Sequence, residues 1–574
     1  METQIERLDD IPVIFGMIVR MNLIATIDSI FIPHKNWKGI SIGELTAIWL
    51  CYLITTQDHR ISYLSDWVKE RLQLFCTLLN KEVRVYDCSD DKLELLLDMY
   101  SEPEVWNKLE LILNQDIIRV FDLQTDILRV DATIGKSFQK VIADGLFQYG
   151  NSKHHRSDLP QFKTMLCTID PLGYPMSSLT VSGNSADDPL YIPVIAQTML
   201  SLPNLHSLFV GDCKLGSLAT RAYIEKMQHY YLCPLSGVQL KAEELKEYIY
   251  NIDLQSIDLQ KIIKDEEVIA EGYSTTIQLG KIDDTGQLIN WNEKRFIVRS
   301  YTYAKTQIEA LVKRIDKCVN ELSQLNIKKQ GKPTIEGKLE LSAECNRIIE
   351  KYKVSELVTF EIEESITKKP IRAWKDRPQR EEIQCECTVK ITQDIIKIEK
   401  AKKLLGWRVY GSNSLEKDFT VEKAVLIYRH EYIIERRFNC LKNKPLNLTP
   451  LFLQKDNRIE SLINVLLLAL RVISLIEYKV ADNLEKNDKK VEGLYAGNPK
   501  RKTSNPSMEL ILRVFSGIYL IATPKVNESI ITFAVTNLSP LQKKILRLLD
   551  LPETIFTNFK QTIDFKQHNM ILKI

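Results

Sequence analysis

Residues 126–133, "DILRVDAT", mark a change of texture in the chain. Upstream, "IPVIFGMIVRMNLIATID" and "SIGELTAIWLCYLITT" carry apolar residues at helical spacing, and "ISYLSDWVKERLQLFCTLL" continues the pattern. From Asp126 the aliphatic residues crowd together as in a strand. "FKTMLCTID" and "YPMSSLTVSG" follow as two more strands, joined by the turn "DPLG". A helix ("YIPVIAQTMLSL"), a strand ("LHSLFVGD"), a helix ("LATRAYIEKMQ") and a short strand ("HYYLCPL") complete the run. Three antiparallel strands followed by strand–helix units is the order of an RNase H-like core.

The wider composition is that of a globular protein. The 574 residues are 44% hydrophobic and 26% charged, too many for one core, so several domains are expected. The boundaries read as 1–120 (helical), 121–235 (first part of the core), 236–415 (a β-rich insertion with one long helix), 416–480 (remainder of the core) and 481–574 (helical). The fold class is thus mixed α/β. In the insertion's long helix Ile308, Leu311, Ile315, Cys318, Leu322 and Leu325 form a short heptad-like seam, expected to pack within its own domain. A net charge of +2 gives no global argument for a nucleic-acid partner, so local basic surfaces must carry it. The start, "METQIERLDD", has no apolar signal core, and the eleven cysteines include no CxxC pair, as expected of reduced thiols in a cytosolic protein. The run "SLINVLLLALRVISLIE" (461–477) is shorter than a spanning helix needs and is interrupted by Asn464 and Arg471, so it reads as a core helix, with no membrane partner.

Three carboxylates stand where chemistry is possible. Asp131 and Asp212 each follow apolar strand residues and are expected at strand ends, the mouth of a sheet where ligands gather. Glu435 lies in "YRHEYIIERRFNCLK" (428–442), with Tyr428, Glu431 and Lys442 at offsets that share one helical face. Two aspartates and a glutamate suit a pair of Mg²⁺ ions, with Mn²⁺ able to substitute, acting on a phosphodiester. The bland alternative is equally specific: aspartates cap turns, and a glutamate in an Arg-rich helix forms surface ion pairs worth less than ~1 kcal/mol.

The pattern Tyr428, Glu435, Lys442 resembles the Tyr-Arg-Glu-Lys signature of DDE transposases of prokaryotic insertion sequences. "YGNSKHHRSDLPQFKTMLCTID" (149–170), "EKRFIVRSYTYAKTQIEALVKRI" (293–315) and "YRHEYIIERRFNCLKNKPLNLTPLFLQKDNRIESLINVLLLAL" (428–470) resemble that group in the same order along the chain, and "IPVIFGMIVRMNLIATID" also fits. The resemblance implies an RNase H-like endonuclease and strand transferase that performs cut-and-paste DNA transposition. It implies Asp131, Asp212 and Glu435 as magnesium ligands, and Tyr428 and Lys442 as groups holding the terminal phosphate. In better understood relatives the freed 3′-OH forms a DNA hairpin before joining. It further implies double-stranded DNA partners, the terminal inverted repeats and target DNA, bridged by a homodimer, in the cytoplasm at the nucleoid. The helical N-terminal region would supply end recognition through a few placed residues.

Two departures stand out. The signature's Arg falls at Glu431, leaving Arg429, Arg436 and Lys214 as substitutes able to reach the same anion. "GDCK" stands where relatives commonly have an Asp-Arg pair. A catalytically impaired or domesticated DNA-binding relative is the alternative these departures feed, and a nuclease that cuts without joining is a third. Of the other candidates, Lys153 and Arg156, in the cluster "KHHR", are read as DNA-backbone contacts or a solvated loop. Trp407 is read either as a stacking platform for an unpaired base or as a core residue. "PKRKT" (499–503) lies in a polar, basic loop, 483–507, expected to be mobile.

Overall fold

The computed structural model describes residues 3–150, 158–327, 337–371, 379–524, 530–560 and 562–564. The chain forms two compact units. One comprises Met1–Cys233, Gly280–Trp291 and Tyr428–Ile574; the other comprises Pro234–Leu279 and Asn292–Ile427.

In the first unit, five core strands follow the expected order. Ile127–Lys136 pairs antiparallel with Gln161–Ile169, which pairs antiparallel with Tyr174–Ser182. On its other side Ile127–Lys136 runs parallel to Leu208–Gly211, which runs parallel to Tyr230–Pro234. The strand Gln161–Ile169 is buried throughout, because both its faces are covered. The turn after it closes through Gly173, at φ +69°. A Cβ there would lie 2.6 Å from Arg437 Nε, so only glycine admits the arginine that crosses it.

The core of this unit is the helix Asp456–Glu485. Its apolar stretch is long enough to cross a membrane, yet 89% of it is buried inside the protein. It packs against the strand Tyr174–Ser182 and the helices Asp90–Tyr100 and Ile42–Thr56. Arg471, one of the two residues that interrupt the run, is fully buried. Its Nε donates to Pro175 O at 2.8 Å and its Nη2 to Glu110 Oε1 at 2.5 Å, so the charge is spent on a strand backbone and a buried carboxylate of the helix Pro103–Phe121.

Residues 1–120 are not set apart as an all-helical domain. Gln4–Arg7 is a strand pairing with Tyr519–Pro524, and the helices of this region pack on Asp456–Glu485 within the same compact unit. Nor is the C-terminal region purely helical: Tyr519–Pro524, Ile530–Val535 and Thr562–Asp564 extend that sheet. Such short strands lack a long alternating pattern and gain their place from tertiary pairing. The basic loop is tied by a bridge between Val491 and Thr503, with Val491 and Leu494 buried beneath it.

In the second unit, Trp407–Ser412 pairs antiparallel with Leu288–Ser300. A long ribbon, Val358–Ile371 with Arg380–Gln393, packs by its proximal end on the helices Tyr301–Leu325 and Lys338–Tyr352. The seam residues Leu311, Ile315, Cys318 and Leu322 are buried in that cluster, so the seam is consumed inside its own unit.

Arg471→Met is expected to destabilise the protein by about 3–5 kcal/mol, because it leaves Glu110 buried without its countercharge. Chemical denaturation measures this, and a loss under ~1 kcal/mol would mean that Glu110 finds another partner.

Candidate active site

The parallel register places two carboxylates side by side. The last pairs between the first and fourth core strands are Arg129 with Val210 and Val130 with Gly211, and the next residues on each chain are Asp131 and Asp212. Neighbouring strands lie about 4.8 Å apart, so the two side chains leave the sheet at one mouth. Asp131 does not end its strand, as the sequence implied. It is the fifth of ten residues, and the strand continues to Lys136 beside Gln161–Ile169. What ends at Asp131 is the parallel partner. A Cβ on Gly211 would meet Leu215 Cδ1 at 2.8 Å and Val130 O at 3.0 Å, so glycine lets the chain turn away there.

Asp212 is held from two sides: Tyr191 Oη donates to its Oδ1 at 2.7 Å and Lys214 N at 2.8 Å. Burial pushes the Tyr191 phenol well up, and the negative charges of Asp212 and Asp131 push it further. Asp131 lines two hollows. A cavity of about 350 Å³ joins it to Lys136, Glu435, Asn439, Lys442 and Asn443, and a smaller one of about 20 Å³ joins it to Asp212, Tyr191, Lys163, Asp187 and Lys214.

Glu435 is exposed, in the first turn of the helix Tyr432–Lys442. Glu435, Asn439, Lys442 and Asn443 line the cavity at helical spacing. Tyr428 and Glu431 are not on this helix. Tyr428 ends the helix Val421–Tyr428, and a 3₁₀ turn, Arg429–Glu431, breaks the run. Arg436 and Arg437 donate at 2.8 Å to the two carboxylate oxygens of Glu477 on the core helix, and Arg437 also donates to Leu172 O at 2.6 Å. Both cations therefore anchor the helix that carries Glu435, with Arg437 buried and Arg436 partly exposed.

Glu431, at the signature's Arg position, is half-buried. Burial raises its carboxyl above the usual range, and the charges of Glu435 and Asp212 raise it further; Arg129 and a hydrogen bond from Tyr428 oppose this. Arg129 stands two residues before Asp131, on the same strand face, and is paired with buried Asp170 at 2.6 Å. Arg429 is half-buried in the 3₁₀ turn, and Lys214 is exposed, 3.4 Å from Asp188.

Trp407 belongs elsewhere. It is packed in the second unit with Leu240, Ile249, Ile297 and Val409, its Nε1 donating to Lys403 O at 2.9 Å, so it is a core residue and no stacking platform. Lys153 and Arg156 lie outside the described residues. Tyr191, Lys163, Asn439 and Asn443 were missed in the sequence. Lys163 carried a signal, a lone cation in the buried strand "FKTMLCTI"; it is satisfied by Asp187 at 2.7 Å.

Asp131, Asp212 and Glu435 offer carboxylate oxygens, the donor chemistry that Mg²⁺ prefers, among lysines that line the same hollows. Among the described residues no three His, Cys, Asp or Glu side chains close into a metal-holding group. Asp131 pairs with Asp212 by register and with Glu435 across the cavity.

The first unit is thus a mixed α/β fold in which Asp131 and Asp212 follow the end of one parallel register and Glu435 lines a cavity with Asp131. The family model for the transposase DDE domain matches residues 123–472, and the chain belongs to that family. No curated protein matches. Among solved structures, a cryo-EM structure of the piggyBac transposase synaptic complex with hairpin DNA is similar at 10% identity and a TM-score of 0.33, over 86% of this chain and 80% of that one.

The raised carboxyl of Glu431 makes a stability prediction. A group raised on folding contributes fully below its unfolded value of 4.5 and loses that contribution as pH rises through the folded value. Without metal, Glu431→Gln is expected to melt higher than the wild type at neutral pH, with the difference vanishing below pH ~4.5. Tm profiles against pH test this; a constant difference at all pH values would mean that charge is not the cause.

Proposed function

We propose that this protein is an insertion-sequence transposase of the prokaryotic type, performing Mg²⁺-dependent cut-and-paste transposition at terminal inverted repeats. The supporting observation is the register that ends at Val130 and Gly211, leaving Asp131 beside Asp212 with Glu435 and Lys442 across the cavity. Asp131, Asp212 and Glu435 would hold the ions, which when bound activate an attacking oxygen and stabilise a leaving one. Lys442 offers an ammonium to the scissile phosphate from the same cavity wall, and Tyr191 and the Lys214 amide fix the Asp212 carboxylate. In the first step a water oxygen bonds to phosphorus and the P–O3′ bond breaks, giving a 3′-OH and a 5′-phosphate. In the last, the oxygen of that 3′-OH bonds to a target phosphorus while the target's own P–O3′ bond breaks, and the proton passes by way of solvent to the departing target 3′-oxygen, which leaves as a 3′-OH. Two protomers bridging two DNA ends, at the nucleoid, complete this reading.

The second reading is a DNA-binding relative without cleavage. It draws on Glu431, a half-buried acid among Glu435 and Asp212 where the resembled signature has a cation.

A plasmid carrying the DNA that flanks the gene distinguishes them. Wild type is expected to nick the element ends in Mg²⁺ and not in Ca²⁺, and Glu435→Gln and Asp131→Asn to lose at least ~10³-fold in rate. Binding of the ends with no nicking under any divalent cation would overturn the enzyme reading and leave the binding one.

A further inference from the structure

Resting on the DNA-cutting reading above, we propose that the turn Asp170–Gly173 is a clasp that sets the spacing between Asp131 and Glu435, and with it the preference of their site for Mg²⁺ over a larger divalent cation. The turn joins Gln161–Ile169 to Tyr174–Ser182 and touches both carboxylate-bearing elements. On one side Asp170 holds the strand of Asp131. Its Oδ2 accepts from Arg129 Nε at 3.0 Å and Nη2 at 2.6 Å, and its N–H donates to Ile127 O at 3.0 Å. Arg129 and Asp131 lie two apart on that strand and share a face. On the other side the turn holds the helix of Glu435. Leu172 O accepts from Arg437 Nη2 at 2.6 Å. The bare Cα of Gly173 lets that helix close in: an added Cβ would lie 2.6 Å from Arg437 Nε and 3.3 Å from Ile433 Cγ2. Ile433 and Arg437 are one helical turn apart, so Glu435 between them is turned away from the clasp, into the cavity it shares with Asp131.

The clasp is stiff because it is buried. Arg129, Asp170 and Arg437 are all buried, and Arg437 is held a second time by Glu477 Oε2 at 2.8 Å. Neither guanidinium can shift without leaving a charge unpaired in the core. Apolar residues of the same size would hold the fold as well as a buried ion pair does, so what the charges add here is direction. Charge-assisted bonds from planar guanidinium groups fix orientation as well as contact. That direction matters most to a small cation. Mg²⁺ demands near-ideal octahedral geometry at about 2.0–2.1 Å, whereas Ca²⁺ accepts oxygens at about 2.3–2.6 Å in irregular arrangements. Carboxylates whose separation drifts therefore lose Mg²⁺ first. Groups that stand behind metal ligands govern affinity by on the order of 10–100-fold.

The test loosens the clasp from each side and reads metal binding directly. The double variant Arg129→Met/Asp170→Leu removes the ion pair without stranding a charge, so it is expected to fold. Gly173→Ala pushes Arg437 and its helix outward and leaves every charge in place. Mg²⁺ and Ca²⁺ are titrated calorimetrically into the full chain, below the Tm of each variant. Both variants are expected to weaken Mg²⁺ binding by about tenfold or more and to leave Ca²⁺ binding within about threefold. Nicking in Mg²⁺ is expected to fall in parallel. An Mg²⁺ to Ca²⁺ affinity ratio unmoved in the double variant overturns the clasp, as does an equal loss of both ions, which is what a purely structural role would give. In either case a wild type that nicks DNA leaves the cutting reading intact. A wild type that binds neither ion also overturns the clasp, and whether that preparation nicks DNA in Mg²⁺ decides if the cutting reading fails with it.

Discussion

Glu477 is the acid on which the site geometry hangs. It lies within the long buried helix Asp456–Glu485, and its two oxygens accept from Arg436 and Arg437 while its Oε1 also accepts from the Met508 amide. One buried carboxylate thereby fixes the rotation of the Glu435 helix about its own axis. A helix held at both guanidinium groups cannot turn its acidic face from the cavity without leaving a charge unpaired in the core, a cost of several kcal/mol. Arg471, on the same core helix, does the equivalent for the sheet by binding the Pro175 carbonyl. The sheet and the glutamate helix are thus both referenced to one rigid element.

The first three core strands are readable because their side chains alternate or cluster over nine or ten residues, long enough for the period to be seen. Asp131 and Asp212 stood out as acids closing apolar runs. Their adjacency did not, since it depends on which strands pair in parallel and where that pairing stops. The cations of "YRHEYIIERRFNCLK" show the limit of reading charge from composition. Arg436 and Arg437 look like phosphate ligands in one dimension, and the residue that claims them lies about forty positions downstream. The helical face drawn through Tyr428 and Glu431 failed for a related reason: a 3₁₀ turn leaves no clear compositional mark. Likewise nothing local distinguished Trp407 as a core residue, because its partners Leu240, Ile249 and Ile297 are far away in sequence.

Asp212 and Glu435 are separated by more than two hundred residues, most of them forming the second compact unit. That spacing has a consequence in time. A ribosome adding about 5–20 residues per second releases the two aspartates ~10–40 s before the glutamate helix exists. The core helix that holds it in place comes later still. During that interval the nascent chain carries Asp131 and Asp212 without Glu435. On the proposed DNA-cutting reading, a product truncated inside the second unit carries the two aspartates without the glutamate and is harmless to the DNA that encodes it.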